Sequence, residues 1–228
     1  MIFIVAAALA TAAPAAACPE AANAQAFVCQ ALEASKAGKS EDAARSFEQA
    51  AAASSSSDPA ASRMWAAAGN MWIAAGQPGK AALALDRALA GTGLQAEQRG
   101  EALLDRARAA EAQNDLKLAR AKLTEAAASI SEDPFYWYFS AALAIREMDK
   151  ATAQSSINRA LALAPTDPTV LFEAGHVAHF LGDEAKARDY WTQAAAAAPE
   201  SSTAKAAREA LALLSTPVTP KPPPANSK

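Results

Sequence analysis

Small and bulky apolar residues return along this chain at a fixed interval. Ala153, Ile157, Ala160 and Pro165 are matched 34 residues later by Ala187, Trp191, Ala194 and Pro199 (187 − 153 = 34). The same step backwards reaches Ala119, Leu123 and Ala126. Four-residue insertions then lead to Ala81, Leu85 and Ala88, and to Ala43, Phe47 and Ala50. Five copies result, at 24–57, 62–95, 100–133, 134–167 and 168–201. Helical spacing of the apolar places predicts two helices per copy, one bulky side chain filling the gap that small residues leave.

Each copy repeats further features. A bulky residue opens its first helix, at Phe27, Trp65, Leu103, Trp137 and Leu171. The eighth place is small, at Ala31, Gly69, Ala107, Ala141 and Gly175. The turn place holds Gly38, Gly76, Asn114, Met148 and Gly182, so the fourth copy departs from the pattern. Asp115, Asp149 and Asp183 stand where a side-chain oxygen caps the second helix. Asp58-Pro59, Asp133-Pro134 and Asp167-Pro168 pair a capping Asp with Pro at the first helical position. Trp65, Trp72, Trp137 and Trp191 fall on packing places, and Tyr136 and Phe139 read as core or convex surface.

This unit resembles the tetratricopeptide repeat, a 34-residue helix-turn-helix. The resemblance covers residues 24–201 and implies an all-α fold, with the copies stacked into a right-handed superhelix (an α-solenoid). A helix over 202–214 would cap it, because Ala204, Ala207, Leu211 and Leu214 recur at helical spacing opposite Lys205, Arg208 and Glu209. In that family the second, fifth, ninth and twelfth places of each first helix line the inner surface. Carried over, they give Arg63, Ala66, Asn70 and Ile73; Glu101, Leu104, Arg108 and Glu111; Phe135, Tyr138, Ala142 and Ile145; and Thr169, Phe172, His176 and His179. Arg63, Asn70 and Arg108 are the polar candidates for gripping a partner, and Phe135, Tyr138, Phe172, His176 and His179 form its aromatic end. One subset of the family grips chaperone tails with a Lys and an Asn in its first copy. Val28 and Leu32 stand there instead, which argues against that role.

Composition narrows the function. Apolar residues reach 52%, largely alanine, while aromatics are 6%, which suits closely packed thin helices. A formal charge of −3, with no basic cluster, argues against nucleic acid as a partner. No phosphate loop, nucleophile motif or paired-cysteine metal motif occurs, so we expect no enzyme, no cofactor and no small-molecule substrate. The expected partner is a protein or peptide. One rival is a metal site at Glu173, His176, His179 and Asp183, since two histidines three apart share a helix face. No third histidine exists, however, and Asp183 already serves as a cap.

The ends bear on location. Residues 1–17 read as a signal peptide, with an apolar run over Ile2–Ala10 and a small-x-small site at Ala15–Ala17, although no Lys or Arg precedes it. Residues 18–23 form a short lead-in, and 215–228 a Pro-rich tail expected to be disordered. Export to the bacterial periplasm or cell envelope follows from this reading. Three fates stay open for Cys18 and Cys29: a disulfide, a lipid anchor on Cys18 as in outer-membrane lipoproteins, or two free thiols.

Overall fold

A computed structural model describes residues 18–55 and 58–215; the expected signal peptide and all of the expected tail except Ser215 lie outside them. Among the described residues there are eleven helices and no strand. They pair as α1 (Ala24–Lys36) with α2 (Ser40–Ala53), α3 (Pro59–Ala74) with α4 (Pro78–Ala90), and α5 (Ala96–Ala112) with α6 (Leu116–Ile130). Next come α7 (Pro134–Arg146) with α8 (Lys150–Leu163), α9 (Pro168–Leu181) with α10 (Glu184–Ala197), and the closing α11 (Ser202–Ser215). The two four-residue insertions become extra turns at the starts of α3 and α5, which reach 16 and 17 residues.

The repeat pattern is the core pattern. Ala43, Ala81, Ala119, Ala153 and Ala187 have no exposed surface, nor do Ala50, Ala88, Ala126, Ala160 and Ala194. Between them Leu85, Leu123, Ile157 and Trp191 are buried, whereas Phe47 is only half-buried. The eighth place explains its small residues directly. A Cβ on Gly69 would fall 2.4 Å from Leu85 Cγ, and one on Gly175 would fall 2.2 Å from Trp191 Nε1. Tyr136 and Phe139 are core; Trp72 and Trp191 are buried, but Trp65 and Trp137 are only partly so.

Each unit turns the same way. The residue after the turn place donates its N–H to the carbonyl five residues back, always at 2.9 Å: Lys39 to Ala34, Gln77 to Trp72, Asp115 to Ala110, Asp149 to Ala144 and Asp183 to Ala178. That closure requires left-handed backbone at the turn place, and φ there runs from 60° to 88°. Gly38, Gly76 and Gly182 adopt it freely, and Asn114 tolerates it. Met148, at φ 60° and exposed, has neither advantage. Met148→Gly should therefore stabilise the protein by about 1 kcal/mol. A urea titration showing no upward shift in midpoint would contradict this.

The capping aspartates sit as the spacing predicts. Asp58, Asp133 and Asp167 accept from the first-turn amides of α3, α7 and α9, and Asp115, Asp149 and Asp183 from those of α6, α8 and α10. Hydrogen bonds from Lys186 hold the Asp183 carboxyl below the usual carboxylate range. Cys18 and Cys29 are joined as a disulfide, tying the segment before α1 onto α1 itself. At the other end α11 packs on α9 and α10, burying Ala204 and Ala207.

Candidate functional site

The first helices of successive units stand side by side: α3 packs on α5, and α7 on α9. Their sixth places face the preceding unit, and this settles what surrounds the polar candidates. Asp105, at that place in α5, accepts from Asn70 Nδ2 and from Arg108 Nη1, both at 2.8 Å. Asn70 and Arg108 are thus held by one carboxylate that the repeat register does not assign to the groove. Arg63 donates to the Gly93 carbonyl at 3.3 Å, leaving the rest of its guanidinium for other acceptors.

The aromatic candidates form two stacked pairs. Phe135 and Tyr138 meet edge to face with ring centroids 6.4 Å apart, and Phe172 and His176 with centroids 4.4 Å apart. Phe135 is 46% exposed, while Tyr138, Phe172 and His176 are half-buried. Tyr138 packs against the cores on both sides of α7. Burial pushes its hydroxyl pKa up, and the Glu173 carboxylate adds to the effect. Phe172 packs against the same buried cluster, around Trp191, as the α11 residues Ala210, Leu211 and Leu214.

The histidines do not form one site. His176 Nδ1 lies 3.3 Å from Oε2 of the buried Glu173, and its ring lies 5.5 Å from that of Trp191. His179 Nδ1 instead lies 2.9 Å from Glu184 Oε1, and Asp183 caps α10 while pairing with Lys186. Glu173 and His176 therefore pair with each other while His179 and Asp183 have other partners, and the four do not converge. Among the described residues, only Cys18, Cys29 and Glu33 bring three ligand-type atoms together, and both sulfurs there are in the disulfide. Among the described helices, none is long and apolar enough to cross a membrane.

The structure also contains an opening along groove places of the second and third units. Unlike the pairs above, α1 and α3 hardly touch, and a cavity of about 510 Å³ extends from Ser35 across α3 to α5. Phe47, Ala66, Met71, Leu94 and Leu104 line its depth, with Arg63, Asn70, Gln98, Glu101 and Asp105 around its mouth. The sequence carried a signal for it: the register assigns Arg63, Ala66, Asn70, Glu101 and Leu104 of its lining to the inner surface, but not Phe47, Met71 or Leu94.

No protein-family model matches the sequence, and no curated protein matches it. Solved structures do resemble it. MamA from Desulfovibrio magneticus RS-1 superposes with a TM-score of 0.61 at 16% identity, over 78% of this chain and 97% of that one. PilW, a widely conserved type IV pilus biogenesis factor, gives 0.64 at 18% identity, over 80% and 81%. YrrB, a TPR protein with an unusual peptide-binding site, gives 0.55 at 18%, over 82% and 92%. Likeness at these identities establishes the fold, a tetratricopeptide-repeat α-solenoid.

Proposed function

We propose that this tetratricopeptide-repeat solenoid is a non-catalytic scaffold of the bacterial cell envelope, holding a peptide or helix of a partner protein along the wall formed by its first helices. The observation that carries the reading is the row of Phe135, Tyr138, Phe172 and His176 on the neighbouring first helices α7 and α9, paired edge to face and left partly uncovered. Large rigid rings at a half-open surface are where binding energy concentrates. Arg63 supplies donors for partner carbonyls, and the Asn70–Asp105–Arg108 group sets the polar register beside them. The peptide-binding site named for YrrB supports the same use of the fold.

The envelope setting draws support from the Cys18–Cys29 disulfide, since such bonds persist in oxidising compartments. That bond also occupies the Cys18 sulfur that a lipid anchor needs, which favours a soluble envelope protein over a lipoprotein. Intact-mass analysis of protein from the native host separates the two: added acyl mass on Cys18 would reverse the choice.

The groove is tested on a partner recovered by cross-linking and then purified. Tyr138→Ala and Phe172→Ala should each weaken binding about 10- to 100-fold. Leu83→Ala, which removes an exposed side chain of α4, should leave it unchanged. If both groove variants stay folded by circular dichroism and bind as tightly as the parent, the groove is not the docking surface.

A further inference from the structure

The gap between α1, α3 and α5 has a chemistry of its own, and the argument for it rests on the groove reading above. Its depth is apolar: Phe47, Ala66, Met71, Leu94 and Leu104. Phe47 holds the place that is filled and buried in the four other copies, and it is half-buried here because α1 stands off α3. At about 510 Å³ the gap falls within the range of ligand-binding pockets, room for an apolar side chain and part of the backbone carrying it.

Acids outnumber cations around the mouth, which Arg63 also lines. Glu101 and Asp105 line it, and Glu97 and Asp133 lie close enough to act on Glu101. Arg108 is the cation nearest Asp105 and is already paired with it, at 2.8 Å. Arg63 is directed at the Gly93 carbonyl rather than at a carboxylate. Neither Glu97 nor Glu101 has an ion pair among the described residues. Partial burial raises the Glu101 pKa, and the fields of Glu97, Asp105 and Asp133 raise it further. A cation arriving at this mouth would relieve that repulsion, whereas an anion would add to it.

We propose that this gap seats an apolar side chain of a partner segment that carries Lys or Arg beside it, so that the N-terminal half of the groove selects cationic amphipathic segments. The aromatic wall further along then holds the rest of the same segment. Charge complementarity at the mouth sets the specificity, and the apolar depth sets the position.

Two capped synthetic peptides test this on the full chain, with identical Leu and Ala positions and either Lys or Glu at the flanking places. In calorimetric titrations at low salt, the Lys peptide should bind at least about tenfold tighter than the Glu peptide, and the difference should shrink as salt rises. Glu101→Gln, a change at an exposed position, should weaken the Lys peptide about threefold or more. Equal binding of the two peptides, tighter binding of the Glu peptide, absence of binding by either, or indifference to Glu101→Gln would each overturn the assignment. The groove reading is judged separately. If the Lys peptide fails while a natural partner still depends on Tyr138 and Phe172, only this inference falls. If the peptide obeys the charge rule while the natural partner ignores both residues, the aromatic groove falls instead.

Discussion

Trp191→Ala should destabilise the protein by about 3–5 kcal/mol, the usual loss when a buried indole is removed. Trp191 is the largest side chain in the last core cluster. It lies over Gly175, donates from Nε1 to the Phe172 carbonyl at 3.0 Å, and supports the rings of His176 and His179. Its removal leaves a cavity under α9. In a solenoid each unit is stabilised mainly by its neighbours, so the loss should appear first in α9, α10 and α11. Hydrogen exchange should show those amides deprotected while α5 and α6 keep their protection. Uniform loss across all units would contradict this account.

The partner variant Gly175→Ala sharpens the test. Ala is the better helix former by about 1 kcal/mol, yet its Cβ would lie 2.2 Å from the Trp191 ring. Overpacking of this kind costs about 1–3 kcal/mol, so the net effect should be destabilising. Combining Gly175→Ala with Trp191→Leu recreates the Ala107–Leu123 arrangement that is buried in the third unit. The double variant should be more stable than the sum of the single losses, with a coupling of about 1 kcal/mol or more. Additive losses would mean that the two places do not pack as described.

Reduction of Cys18–Cys29 is the second large effect, about 3 kcal/mol for closing a short loop. Cys29 holds the sixth place of its unit, the one that in α5 meets the preceding first helix through Asp105 and Asn70. No helix precedes α1 among the described residues, and the disulfide fastens residues 18–23 near that face instead. Reductant, or Cys29→Ala, should therefore lower the exchange protection of α1 and α2 and leave α9 and α10 unaffected. Protection in α1 that does not respond to reductant would show that the bond carries none of its stability.

How much was readable in advance differs between fold and site. The alanines at the twentieth and twenty-seventh places, and the aspartate-proline helix starts, could be placed from spacing because each acts within its own unit. Register proposes which residues line the groove, but it does not give the partners of Asn70 and Arg108. Asp105 holds both, and its role depends on α5 lying against α3, a contact between residues 35 apart. The histidines teach the same lesson. Three apart on one helix they resemble a ligand pair, yet His176 turns to Glu173 and Trp191 while His179 turns to Glu184. Neighbours from α10 separate them, and helical spacing carries no information about those neighbours.

By itself, then, the sequence determined the repeat, its helix ends, its small-against-bulky core places and the turn that Met148 fits poorly. These are local requirements of backbone geometry and side-chain volume, met anew in each unit. Only the tertiary structure decided where the units fail to close on one another. The gap above Phe47 opens where α1 stands away from α3, and its mouth forms where Glu101 and Asp105 of α5 face Arg63 and Asn70 of α3. Both depend on how whole helices settle against each other, which a repeat register leaves undefined.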